Sequence, residues 1–154
     1  MTDVVVASSA ESSANSAAIH AIRAAAAHVD RALARVLEPL GLTAAQYSVL
    51  QVMHEVDGQV LGCSEIGRRL AAAAPDVTRL LDRLETVGLV ARERDKKDRR
   101  VVHTRITEAG VSLLSQAVPL VREAEDQVLT DLASRDRLHL AALLNDVQRD
   151  RSGN

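Results

Sequence analysis

The residues in this sequence best suited to chemistry are cationic, and they are clustered. Arg92 to Arg100 holds six Lys or Arg and three Asp or Glu. Upstream, Thr78, Arg79, Asp82, Arg83 and Thr86 recur at intervals of one, three and four. That spacing places them on one side of a helix. Guanidinium groups in such arrays bind phosphate oxygens, and they bind the O6 and N7 edge of guanine bidentately. This chemistry is recognition of nucleic acid. The overall charge of −2 conceals it. From Ser64 to Arg105 there are eleven Lys or Arg against seven Asp or Glu, so the acidic excess lies elsewhere in the chain. An uneven distribution of this kind is expected when one subregion meets phosphate.

Other chemistries find no support. No Gly-rich phosphate loop follows a strand, and no nucleophile sits in a recognisable elbow, so no catalytic residue is assigned and an enzyme is not expected. His20, His28, His54, His103 and His139 are scattered. His20 and His28 can share a helix face, but a metal needs further ligands, and Cys63 is far off in sequence. Neither a metal site nor a cofactor is expected. Tyr47 is the only aromatic residue, which removes the stacking platforms of single-strand binders. Cys63 is the only cysteine, so no intrachain disulfide forms, and it is expected to be a small buried apolar residue. No apolar run approaches the ~20 residues that span a bilayer, and residues 1–16 lack the basic start of a secretory signal. The expected location is the cytoplasm.

The elements that position the cations follow from periodicity. Residues 1–15, rich in Ser and Ala, are expected to be a flexible tail. Ile19, Ile22, Ala26, Val29, Leu33, Val36 and Leu40 then repeat at helical spacing up to Pro39 and Gly41. Thr43 and Gln46 form a capping box for a second helix, which stops near Asp57-Gly58. Val60 and Leu61 suggest a very short strand. A third helix is expected near Ser64, carrying Ile66 and Leu70. A fourth is expected from Pro75 to Val87, with Val77, Leu80, Leu81 and Leu84 inward and Gly88 as its stop. Residues 89–94 and 100–107 read as strands around a charged tip. Thr107 starts a long helix through Pro119, and Ser134 is a plausible cap for a last helix.

This order predicts a mostly α fold with a small β-hairpin wing, a winged helix-turn-helix with N- and C-terminal dimerisation helices. The expected division is residues 16–40 and 108–150 for dimerisation and 41–107 for DNA binding. Apolar stripes at both ends exceed what one winged unit can cover, which implies a homodimer. The fourth helix would lie in the major groove of double-stranded DNA, presenting Pro75, Asp76, Thr78, Arg79 and Arg83. Ser64 and Arg68 on the third helix would touch the backbone. The wing would reach the minor groove through Lys96, Lys97, Asp98, Arg99 and Arg100. Asp98 and Arg100 share a face of an extended ribbon, so Asp98 is expected to orient the Arg100 fork. A dimer would read a pseudo-palindromic operator with half-sites about one helical turn apart.

At this point the sequence resembles the MarR family of regulators. The resemblance rests on Gly41 to Tyr47, Ser64-Glu65-Ile66-Gly67, Val77 to Glu85, Gly88-Leu89-Val90, Asp98-Arg99-Arg100 and Ile106 to Gly110, in the family's order. It implies a dimer joined through the first and last two helices. It also implies wings gripping flanking minor grooves and, in many members, release by a small molecule or oxidant. A repressor released by a phenolic or aromatic-acid effector is the resulting expectation, with effector-binding residues unknown. The alternatives are a thiol-responsive regulator using Cys63 and a constitutive DNA binder. One departure stands out. Ala73, Ala74, Pro75 and Asp76 occupy positions where the family usually places a polar cap and Ser or Thr, which removes donors and adds a carboxylate near phosphate.

Overall fold

The computed structural model describes residues 2–56, 61–70, 76–94 and 102–149, with side chains from residue 11 onward. Helix α1 spans Thr2–Leu37, so the stretch expected to be a flexible tail has helical backbone. Neither Gly nor Pro occurs in that span, and Ala, the best helix former, dominates it. Nothing local therefore stops the helix before Glu38-Pro39-Leu40, which form a single 3-10 turn. Gly41 closes the turn at φ 71°, a left-handed conformation that costs glycine least.

Helix α2, Ala44–Glu55, begins as the sequence predicts. Thr43 caps the Gln46 amide, and the Gln46 side chain returns to the Thr43 amide at 2.9 Å. Helix α3 is Cys63–Arg69, one residue earlier than expected, and Gly62 precedes it without a side-chain cap. Helix α4 is Val77–Thr86. Its N-cap is Asp76, so the expected start at Pro75 is corrected, and Pro75 itself lies outside the described residues. Strands β1, Val90–Arg94, and β2, Val102–Ile106, pair antiparallel with Val90 opposite Ile106 and Arg92 opposite Thr104. Leu61 adds one bridge to Thr104, with N–O distances of 3.1 and 3.0 Å, and is what remains visible of the expected short strand. Helix α5, Glu108–Val128, runs through Pro119 and has Thr107 as its N-cap. Helix α6, Ser134–Gln148, starts after Ala133 with no side-chain cap, so Ser134 is its first residue and not its cap.

One core unites α2, α3, α4, the hairpin and the first half of α5. Leu37, Leu50, Ile66, Leu81, Leu84 and Val90 are fully enclosed. Aliphatic chains do nearly all of this work, at about 1.5–3 kcal/mol for each buried Leu, Ile or Val. The single aromatic, Tyr47, is buried on α2, and burial pushes its phenol above the ordinary value of 10.0. α1 lies along α5. α6 buries none of its residues within the chain and leaves Leu138, Leu143 and Val147 exposed.

The wing is joined to α5 at one crowded point. Thr107 Oγ donates to the Gly88 carbonyl at 2.7 Å and accepts from the Gly110 amide at 3.1 Å. Gly88 has φ 77°, which turns the chain from α4 into β1. A Cβ on Gly110 would lie 2.2 Å from the Leu89 carbonyl oxygen and 2.7 Å from Ile106 Cγ1. The nearest obstacle is backbone and cannot rotate away. Gly110→Ala should therefore lower stability by about 1–3 kcal/mol, the usual cost of overfilling a close-packed site. The check is the urea midpoint of unfolding. An unchanged midpoint would mean that α5 is not held this close to the wing.

Candidate nucleic-acid interface

The face of α4 turned away from the core follows from its inward stripe. Leu81 and Leu84 are buried and Val77 and Leu80 half-buried, which leaves Thr78, Arg79, Asp82, Arg83 and Thr86 exposed. The start of this face has an unusual geometry. Asp76 adopts a left-handed backbone, φ 61° and ψ 65°, and its carboxylate accepts from the Arg79 amide at 3.1 Å. The other carboxylate oxygen lies 2.8 Å from Arg79 Nε. The expected free carboxylate is thus a cap and an ion-pair partner. Arg79 remains 80% exposed at its side chain.

A second cation fixes the helix from below. Along β1, Val90 and Arg92 share a face because strand side chains alternate. Val90 is buried, so Arg92 emerges beside α4 at only 19% side-chain exposure. It donates to Asp82 Oδ1 at 2.6 Å and to the Thr78 carbonyl at 3.3 Å, and its Nε lies 3.5 Å from Glu85. Asp82 and Glu85 are one turn apart on α4, so one guanidinium spans that turn. Arg92 Nε is buried and has no hydrogen-bond partner among the described residues, because the Glu85 contact is an ion pair longer than a good hydrogen bond.

On α3, Glu65 holds both Arg68 and Arg69, the latter at 2.8 Å. The Arg69 hydrogen bond, with both positive charges nearby, draws the Glu65 carboxyl below its ordinary value. Ser64 is exposed in the first turn of α3, and Arg68 is 74% exposed. Cys63 is half-buried, with Sγ 3.4 Å from Thr78 Oγ, so it sits against the first turn of α4.

The structure therefore brings Ser64, Arg68, Asp76, Thr78, Arg79 and Arg83 onto α3 and α4, which are packed together. Pro75, Lys96, Lys97, Asp98, Arg99 and Arg100 lie outside the described residues. Arg92, Glu85, Glu65 and Arg69 were not singled out from sequence. The alternation of Val90 with Arg92, and the i,i+3 and i,i+4 spacing of Glu65 to Arg68 and Arg69, were the available signals.

Two clefts lie where α1 meets α5. One, of about 270 Å³, is lined by Val29, Leu33, Glu125, Val128 and Leu129. Its neighbour, of about 240 Å³, is lined by His28, Arg35, Val36 and Gln127, and the two share Ala32, Ala124 and Val128. Among the described residues no cluster of three His, Cys, Asp or Glu is placed to hold a metal ion, and no helix is long and apolar enough to cross a membrane.

A family model described as the MarR family matches residues 40–101. The HTH-type transcriptional regulator PecS of Dickeya dadantii is 30% identical over 122 residues, covering 79% of this chain and 74% of PecS. A cysteine-to-serine variant of MarR from E. coli, solved with operator DNA, is 29% identical with a TM-score of 0.75, covering 83% of this chain and 91% of that one. BpsR of Bordetella bronchiseptica, whose DNA binding is regulated by 6-hydroxynicotinic acid, shares the fold at a TM-score of 0.77 and 23% identity, covering 85% and 92%.

The Arg92 bridge generates a direct test. Its partners Asp82 and Glu85 are 56% and 44% exposed, so solvent screens both pairs and each adds well under 1 kcal/mol. Lost contact of the arginine stem adds to this. Arg92→Ala should lower stability by about 1 kcal/mol. Amide exchange should quicken in the first turns of α4 while the core of α2 stays protected. If exchange in α4 is unaltered, the helix is held by its leucines alone.

Proposed function

The chain belongs to the MarR family of DNA-binding transcription regulators, and on that footing we propose that it is a dimeric repressor released by a small phenolic or aromatic acid. The observation that carries the DNA side of this reading is the outward face of α4. Arg79 and Arg83 are exposed there on a helix whose other side is core, and the strand below grips it. A helix so presented fits the major groove. Pro75, Asp76, Thr78, Arg79 and Arg83 would face base edges. Ser64 and Arg68 would meet phosphates, and Lys96 to Arg100 would follow the minor groove. MarR itself binds operator DNA with the same fold.

Dimerisation is assigned to residues 16–40 and 108–150, with 41–107 as the DNA-binding unit. The support is α6, whose Leu138, Leu143 and Val147 are left exposed among the described residues. Seated across an operator, such a dimer excludes other proteins from that DNA, hence repression. It would act in the cytoplasm, where that DNA is. For the effector, the apolar α1–α5 cleft suits an aromatic ring, and Arg35 beside it suits a carboxylate. The shared fold of BpsR shows that such a scaffold can house a 6-hydroxynicotinic acid response. A ligand that favours the DNA-free form must loosen the complex by linkage. Thiol-responsive regulation is the second reading, favoured by the Cys63 contact to Thr78.

Footprinting on the DNA flanking the protein's own reading frame tests the proposal. The expected result is two protected half-sites about one helical turn apart, lost on adding an aromatic acid or phenol. Protection that survives a broad panel of such compounds removes the effector. Release by peroxide that is abolished in Cys63→Ser would select the thiol reading instead.

The wing is tested by sign. Arg100→Ala should weaken binding on many sequences and reduce the salt slope by about one unit per half-site. Asp98→Ala should also weaken binding if Asp98 orients Arg100, although it removes a negative charge. Tighter binding by Asp98→Ala at every salt concentration would show that the wing acts by charge alone.

A further inference from the structure

Asp76 is the only described non-glycine residue with positive φ. Aspartate and asparagine tolerate that conformation better than other residues with side chains. The conformation has a consequence for Arg79. One carboxylate oxygen of Asp76 accepts from the Arg79 amide at 3.1 Å, and the other lies 2.8 Å from Arg79 Nε. A single side chain thus holds both the backbone and the guanidinium of one residue.

The geometry points to Asp76 as a positioning residue that sets base specificity through Arg79. Three observations converge on this. The tether takes Nε, which leaves the edge bearing the two terminal nitrogens without a partner among the described residues. That edge can donate two parallel hydrogen bonds to guanine O6 and N7. Arg79 is 80% exposed even when tethered, so the fork is held and yet available. A free arginine side chain loses rotamer freedom when it docks, whereas a tethered one has already lost part of it.

The carboxylate also works against the competing use of the same arginine. A free guanidinium at the start of a helix would settle on any phosphate within reach. Asp76, 44% exposed at its side chain, places a negative charge beside Arg79 and disfavours phosphate there. A guanine edge is neutral and is not repelled. Asp76 therefore lowers affinity for arbitrary duplex and raises the contrast between guanine and other bases at one position of each half-site.

This inference rests on Arg79 being a base contact, and the test separates the two claims. Full-length protein is used to select from a pool of duplex DNA randomised over the operator length. The selected sequence is then titrated with each guanine changed in turn. Arg79→Ala should abolish the preference at one guanine, a loss of about tenfold or more. Asp76→Asn keeps an acceptor for the Arg79 amide and the tolerance of left-handed backbone, but it loses the charge. It should keep its melting temperature, lose most of the same guanine preference and bind arbitrary duplex more tightly. Adding Asp76→Asn to Arg79→Ala should reduce the preference no further. Arg79→Lys, which keeps the charge without the fork, should lose the preference and keep the salt slope. Asp76→Gly, which keeps the left-handed backbone and removes the carboxylate, should lose the same preference as Asp76→Asn and serves in its place if that variant folds poorly. If Arg79→Ala leaves every guanine preference intact, the base-contact reading fails and this inference with it. If Arg79→Ala loses the preference but Asp76→Asn tightens binding to all duplexes and keeps it, Asp76 is only a repelling charge and the positioning role is overturned.

Discussion

A ten-residue helix that buries only two side chains cannot fix its own orientation, and Arg92 supplies what is missing. Leu81 and Leu84 each contribute about 1.5–3 kcal/mol by burial, so they decide that α4 stays on the core. Burial is non-directional, however, and the flanking Val77 and Leu80 are only half-buried, so the apolar stripe alone fixes the roll of the helix loosely. Arg92 reaches Asp82, Glu85 and the Thr78 carbonyl at once. Exposed ion pairs of this kind are individually weak. Their value is angular: they favour the rotation at which Arg79 and Arg83 face outward. Hydrophobic burial sets the energy of the helix, and a polar bridge from the wing sets its direction.

The same region pairs most of its basic groups internally. Ser64 to Arg105 carries a positive excess, yet most of its described arginines on α3, α4 and β1 already hold a carboxylate. Glu65 occupies Arg68 and Arg69, Asp76 occupies Arg79, and Asp82 with Glu85 occupies Arg92. These pairs differ in kind. Arg92 is largely enclosed, and its partners hold it for structure. Arg68 and Arg79 are 74% and 80% exposed, so a phosphate or base edge can approach them without first opening the core.

Much of this was legible in the sequence because the signals were local. The Thr43–Gln46 capping box, the Thr107 cap and the Gly88 stop each depend on residues within a few positions, and each formed as read. In β2, Thr104 is buried and Ile106 half-buried as the alternation predicts, but Val102 is exposed. The sequence was less informative in two places. The N-terminal stretch was read as a tail because Ser and Ala carry no apolar stripe, and helix propensity without a breaker gives it helical backbone from Thr2. Asp82 was read as part of the outward face of α4, where it lies, but helical periodicity says only that a residue points away from the core. It says nothing of a strand ten residues on that returns Arg92 to the same side. Asp76 shows the same limit: its identity was noted, but a left-handed cap that reaches two parts of Arg79 depends on backbone angles that composition does not encode.

The joints between elements constrain how a signal could travel. α4 is tied to β1 through Arg92, and the start of β1 is tied to α5 through Thr107, which bonds the Gly88 carbonyl and the Gly110 amide. At Gly110 the helix lies so close to Leu89 that even a methyl group does not fit. α4, β1 and the first turn of α5 are therefore joined by direct contacts. The clefts lie at the other end of α5, against α1, where Val, Leu and Ala line them together with His28, Arg35, Glu125 and Gln127. Under the proposed function, a ring seated between α1 and α5 would press on the second half of α5, and a shift of that helix would reach α4 through these joints. In a dimer that reads two half-sites, the distance between the two recognition helices is the quantity that must match the DNA.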